Sequence, residues 1–341
     1  MLDILVGGFF GDEGKGKVAS YLALKDKPAM SVRTGSINAG HTAVYKGKTY
    51  KLRLIPSSFI SESTRLAFPP GALIKREVLF KEMEETGTRK RVIIDGHAAV
   101  ITNLEAEEER NNSHLSNEVG STKSGVGSAE SKRVLRSLKL AKDYPELSEF
   151  IADVPDEIIK CVEGNGRVLV EGSQGHLLSL YHGTYPYVTS RNTTASGILS
   201  DVGIGPKYVE NITVIFKAFM TRVGGGPMDG EISSSEAKRL GFQEFGTVTG
   251  RERRVAPFDS KIAREAVRIS SANQVAITKV DTVFKGAEKV REFNKLPEDA
   301  INWIEKMEEE IGVPITLIGT GEDAVDMIDR RHDVPIKRGS A

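Results

Sequence analysis

Cysteine, tryptophan and net charge are nearly absent from this chain. Its 341 residues hold one cysteine, Cys161, and one tryptophan, and 47 Lys and Arg balance 47 Asp and Glu. A lone cysteine excludes an internal disulfide, and with it the small stapled folds of secreted proteins. Zero net charge removes the long-range pull toward nucleic acid or anionic membrane, so neither is an expected partner. Long apolar runs are missing too. Val92 to Ile101, the longest, is interrupted by Asp95 and His97 and falls well short of the roughly 18 to 20 residues that span a bilayer. The chain opens Met1-Leu2-Asp3 and enters a strand pattern at once, so the expectation is no signal peptide and a cytoplasmic address. With 39% hydrophobic and 28% charged residues, disorder as the main state is excluded.

Glycine is what the chain has in excess: 34 residues, about 10% where roughly 7% is usual. These glycines cluster at 7–16, 120–127, 172–183, 197–205 and 224–230, marking loops whose backbone must approach something closely. Between them, Leu2 to Val6, Met30 to Arg33, Val92 to Ile94, Val168 to Val170, Ile212 to Ala218, Val275 to Thr278 and Ile315 to Ile318 read as buried strands. Helical spacing continues from Val18 to Ala23. It also predicts helices at Arg76 to Glu85, Ser128 to Lys142, Pro155 to Glu163, Ser260 to Ser270 and Pro297 to Ile311. Lys46-Gly47-Lys48 reads as a hairpin turn, and the polar stretch Asn111 to Gly127 as a segment ordered by ligand. The fold class that follows is α/β, a mostly parallel central sheet with flanking helices, with hairpin and loop excursions, in a single domain over residues 1–341.

Gly11-Asp12-Glu13-Gly14-Lys15-Gly16-Lys17-Val18 follows the first strand and opens a helix, the context of a phosphate-binding loop as in P-loop NTPases. Val18 stands where such loops carry a hydroxyl for Mg²⁺, so another ligand must hold the metal, and Asp12 is the carboxylate at hand. His41, between Gly40 and Thr42, is either a surface histidine or an acid and hydrogen-bond donor. Thr278-Lys279-Val280-Asp281 ends a strand, where nucleotide bases bind in such folds. Asp281 can accept from N1–H and the 2-amino group of guanine together, which adenine does not offer. The run Arg251-Glu252-Arg253-Arg254 after Thr249-Gly250 is either a solvated face or a clamp for a small dicarboxylate or phosphate. Gln174, in the loop after another strand, is placed to orient a polar group.

Read in order, Gly11 to Lys17, Asn38-Ala39-Gly40-His41-Thr42, Glu171-Gly172-Ser173-Gln174-Gly175, His182-Gly183-Thr184-Tyr185-Pro186-Tyr187-Val188-Thr189-Ser190, Thr249-Gly250-Arg251 and Thr278 to Asp281 resemble the adenylosuccinate synthetase family from end to end. The resemblance implies GTP-driven ligation of L-aspartate to IMP through a 6-phosphoryl-IMP intermediate. It makes Asp12, His41, Lys15 and Gln174 the catalytic set and Asp12 with the carbonyl of Gly40 the Mg²⁺ ligands. Gly11, Glu13, Gly14, Gly16, Lys17, Gly40, Thr42, Lys279, Asp281, Gly319 and Gly321 would hold GTP. Asn38, Thr122, Gln174, Thr189 and Val223 would surround IMP, and Thr249, Arg251 and Arg253 would hold aspartate. Arg136 would reach the IMP phosphate of a neighbouring subunit, which implies a homodimer. Three departures stand out: the chain is shorter than common members, Lys123-Ser124 replaces Gly-Arg, and Glu252 interrupts an arginine run. A guanine-nucleotide switch would also need the phosphate loop and Asp281 but gives no reason for Arg251 and Arg253. Asp281 argues against an ATP-dependent kinase.

Overall fold

A computed structural model describes residues 1–246 and 250–336. Ten strands form one sheet: β1 (Leu2–Gly7), β2 (Met30–Arg33), β3 (Arg65–Phe68), β4 (Val92–Asp95), β5 (Ile151–Ala152), β6 (Val168–Glu171), β7 (Val209–Lys217), β8 (Gln274–Thr278), β9 (Ile315–Gly319) and β10 (Met327–Asp329). Their order is β10-β9-β8-β7-β1-β6-β2-β3-β4-β5, and all neighbours are parallel except β9 and β10. The mostly parallel α/β expectation therefore holds.

Strands buried on both faces need apolar residues at odd and even positions alike, and β1 has them. Ile4 and Val6 join Val168, Val170, Val214 and Phe216 in one core, while Leu5 turns the other way onto Val18, Ala19 and Leu22 of the helix Lys15–Asp26. Each such side chain, fully buried, contributes about 1.5 to 3 kcal/mol. A second core under β3 and β4 gathers Leu66, Phe68, Ile94 and the hairpin residues Ala43 and Leu52. That hairpin pairs His41–Tyr45 with Lys48–Leu52 through Lys46 and Gly47, both at positive φ, as a two-residue turn of matching twist requires.

Helices at Arg76–Thr86, Val154–Glu163, Ser260–Ser270 and Glu298–Ile311 appear where spacing predicts them. The one expected over Ser128 to Lys142 is cut short: it runs Val126–Val134. Arg136 adopts φ 61°, and the Ser137 N–H bonds to the Lys132 carbonyl at 3.0 Å, the six-residue closure that ends helices. The polar stretch from Asn111 to Gly127 carries a wide helical turn at His114–Val119, and the Glu109 carboxylate accepts from the Gly125 and Gly127 N–H groups at 2.5 and 3.1 Å. It is thus anchored by the chain itself rather than only by a ligand.

Candidate active site

Parallel strands deliver their C-terminal ends to one rim of the sheet, and register decides which side chains meet there. Arg33 lies opposite Glu171, and Lys217 opposite Thr278. The loop after β1 turns into the helix Lys15–Asp26 at Gly14, whose φ of 86° and whose missing Cβ, 2.8 Å from Thr278 Cγ2 if it were there, both demand glycine. No side chain caps this helix and no acid occupies its first turn, so its N-terminal N–H groups face the loop as an anion site.

The Glu13 side chain turns into the protein. It is 1% exposed, accepts from the Phe9 and Gly11 N–H groups at 3.0 and 2.7 Å, and receives Lys15 Nζ at 2.7 Å. A buried carboxylate needs such partners, and Glu13 thereby braces the loop from within. Lys15 also donates to the Gln174 carbonyl at 2.5 Å.

A cavity of ≈ 380 Å³ opens beside this loop, lined by Gly11, Asp12, Lys15, Asn38, Gly40, His41, Thr122, Gln174, Thr189, Val223, Arg251 and Arg253. Seven separate stretches of sequence thus converge. Gln174 Nε2 donates to Asn38 Oδ1 at 3.0 Å and Asn38 Nδ2 to Thr189 Oγ1 at 3.5 Å, while Thr122 bonds Ser124 at 2.8 Å. Asp12, at φ 62°, points its carboxylate at Arg253 Nη1, 2.7 Å away. Burial pushes its pKa up, against the pull of Arg253 and Lys217 downward. About a third of the side chain (35%) still meets water, which moderates that rise.

His41 is buried, its Nδ1 against the Glu171 carboxylate, while Nε2 has no partner among the described residues. Glu171 is fully buried and also accepts from Ser57 N and Oγ, both at 2.7 Å, and from Arg33 at 3.4 Å. Burial alone would raise the Glu171 pKa, but Arg33, His41 and Ser57 hold it at about 2. Burial and Arg33 together lower His41 to about 4, so the free ring is neutral near pH 7.

Lys17, Lys279, Asp281, Gly319 and Gly321 assemble next to the cavity, around the ends of β8 and β9. A Cβ on Gly319 would lie 3.1 Å from Lys17 Cε, and one on Gly321 2.7 Å from Asp326 Oδ2. Asp281 Oδ1 is buried without a partner among the described residues. Gly16 packs its Cα side against the carbonyl of Thr42, whose own side chain is exposed. Arg136 is not among the cavity residues; it sits exposed at the end of its helix beside Val134 and Leu135, which are 74% and 71% exposed. Thr249 lies outside the described residues. Sequence reasoning passed over the buried charges Arg33 and Lys217 and the half-buried Glu244 and gave Glu171 no role, although a carboxylate closing a buried strand was a visible signal.

The sequence model of the adenylosuccinate synthetase family matches residues 4–143 and 137–290. The chain belongs to the adenylosuccinate synthetase family. It is 48% identical over 335 residues to the adenylosuccinate synthetase of Methanocaldococcus jannaschii, covering 97% of each chain, and 46% identical to that of Archaeoglobus fulgidus over 331 residues. The solved structure of the fully ligated adenylosuccinate synthetase from Plasmodium falciparum superimposes with a TM-score of 0.87 at 25% identity, covering 96% of this chain and 99% of that one. A cyanophage S-2L succinoaminodeoxyadenylate synthetase shares the fold, with a TM-score of 0.78 at 24% identity. As an adenylosuccinate synthetase homologue the chain is a GTP-dependent ligase of purine biosynthesis.

Proposed function

We propose that the cavity joins L-aspartate to IMP at the expense of GTP, with Asp12 as the base that starts the reaction. The observation that carries this reading is the convergence of Asp12, His41, Gln174 and Arg253 on one cavity beside an anion-binding helix start, with a carboxylate oxygen at Asp281 that has no partner among the described residues. Asp12 takes the proton from N1 of the hypoxanthine, and electron density moves to O6. O6 then attacks the γ-phosphorus and the bond to GDP breaks. A pKa raised by burial suits a carboxylate to accept a proton. His41 donates to the charge growing on O6 through Nε2; the phosphates of two nucleotides supply the negative field that reprotonates a ring neutral in the free protein. The amine of aspartate then attacks C6 and phosphate leaves, while Arg251, Arg253 and Thr249 hold the two carboxylates. Asn38, Gln174, Thr122, Thr189 and Val223 fix IMP.

Among the described residues no group of three or more His, Cys, Asp or Glu could hold a metal. The Asp12 carboxylate and the Gly40 carbonyl, both lining the cavity, offer two hard oxygens. Such a partial set suits Mg²⁺, which takes its remaining ligands from water and phosphate oxygens. Bound there, it would neutralise charge on the phosphoryl groups. The exposed Val134, Leu135 and Arg136 support a homodimer in which Arg136 reaches the neighbouring site. One continuous sheet supports a single domain. No helix of the described residues is long and apolar enough to cross a membrane, and a cytoplasmic place fits the lone cysteine.

The test is whether GTP turnover needs both IMP and aspartate, followed as purine conversion in a difference spectrum. Slow hydrolysis indifferent to both would favour a guanine-nucleotide switch instead.

A further inference from the structure

Lys217 is a lysine 3% exposed at the end of β7, and the chemistry just described does not use it. A buried ammonium demands partners, and it has two: Glu244 Oε2 at 2.5 Å and Thr221 Oγ1 at 2.7 Å. Glu244 in turn stands at the root of the loop that carries Arg251 and Arg253. Its carbonyl accepts the Arg253 N–H at 2.9 Å, Phe245 bridges Glu252, and the Gly246 N–H donates to the Arg251 carbonyl at 2.8 Å. Those contacts set the register of a short antiparallel pair, 244 against 253, 245 against 252 and 246 against 251.

Period-two alternation then sorts the side chains. Glu244, Arg251 and Arg253 share the face toward the cavity, while Phe245, 58% exposed, and Glu252 share the other. Glu252 accepts from Gln243 Nε2 at 2.9 Å. On this inner face the second oxygen of Glu244 lies 3.9 Å from Lys279 Nζ, beside Asp281. One carboxylate therefore touches the end of β7, the end of β8 and the root of the arginine loop.

We propose that the Lys217–Glu244 pair is the positioning strut of the amino-acid subsite: it fixes the arginine loop against the sheet so that Arg251 and Arg253 meet the two carboxylates of aspartate. This rests on the reading of that loop as the aspartate clamp. Lys217 is buried and Glu244 half-buried, and removing the carboxylate strands a buried ammonium, so the loop root cannot keep its place when the pair is broken.

Glu244→Gln preserves shape and removes charge. Its expected effect is selective: KM for aspartate rises about tenfold or more, the scale of one lost charge-assisted hydrogen bond, while KM for IMP stays within about twofold of wild type. A fold-wide defect would instead move all three substrates together. Lys217→Met with Glu244→Gln leaves no stranded charge, so the double variant should lose less than the product of the two single effects, and it serves if a single variant fails to fold. Arg251→Leu is the control. If it raises KM for aspartate and Glu244→Gln does not, the strut is overturned and the clamp stands; if Arg251→Leu leaves KM unchanged, clamp and strut both fall. Equal rises for aspartate, IMP and GTP in Glu244→Gln also overturn the strut.

Discussion

Asp281 keeps a carboxylate oxygen buried and, among the described residues, without a partner, an arrangement that costs stability unless a ligand supplies the donor. Burial raises its pKa, with Lys279 opposing, so the site favours a ligand that brings hydrogen to it. Guanine brings two. In Asp281→Asn the new amide NH₂ would confront the 2-amino group of guanine, whereas xanthine presents an oxygen there. The expected loss for GTP is about 2 to 4 kcal/mol, on the order of 10² to 10³ in kcat/KM, with XTP gaining. Steady-state rates with GTP, XTP and ATP at saturating IMP and aspartate check it; an unchanged preference for GTP over XTP would remove Asp281 from base reading. Lys17 adds a pH dependence. Burial lowers its pKa from 10.5 to about 8, against Asp326 and Asp281. Between those values the unfolded chain holds a proton that the folded one lacks, so this residue's contribution to stability grows as pH rises through that window. Phosphate binding runs the other way, because the cation is lost above about 8. Affinity for a non-hydrolysable GTP analogue should fall about fourfold from pH 7 to 8.5 by that titration. Calorimetry on Lys17→Met should show a flatter slope, and equal slopes would discharge Lys17 from the nucleotide site. Motif positions such as Asp12, His41 and Gln174 were legible because each stands beside a glycine in a loop that follows a buried strand. The inward turn of Glu13 was not, since it depends on two backbone N–H groups that no side-chain pattern reveals.

The helix Lys15–Asp26 depends on Gly14 in two ways, its left-handed backbone and its contact with Thr278, whose hydroxyl donates to the Glu13 carbonyl at 2.8 Å. Gly14→Ala imposes strain of roughly 1 to 2 kcal/mol from the backbone alone, and displacing Thr278 adds to it. A urea midpoint lowered by that amount or more, together with weaker GTP binding, is the expected result; a midpoint equal to wild type would mean the loop relaxes freely. Among the elements, long apolar strands announced themselves. β3 did not, because Leu66, Ala67 and Phe68 form too short a run between Arg65 and Pro69; β5 is two residues paired with β4 far along the chain, and β10 is three residues defined by pairing with β9. The overlong helix expected through Lys142 failed for a similar reason: an arginine at φ 61° ends it, and arginine carries no propensity that forecasts this.

Arg136 is not among the residues that line the cavity of its own chain. If it serves the neighbour, Asp12→Asn and Arg136→Leu damage different halves of a shared site. Mixing the two inactive variants and allowing exchange should restore about a quarter of wild-type activity, since random pairing leaves one intact site in half the dimers. Absence of any recovery after verified exchange would confine Arg136 to its own subunit. The sheet itself narrows how two copies can meet. Its outermost strands are Ile151–Ala152, two residues long, and Met327–Asp329, three residues long and reversed in direction. Stubs of that length expose too few free N–H and C=O groups to template another strand. Copies of this chain are thus barred from zipping into a continuous ribbon, a safeguard against runaway polymerisation that leaves association to side-chain surfaces such as the one around Val134 and Leu135.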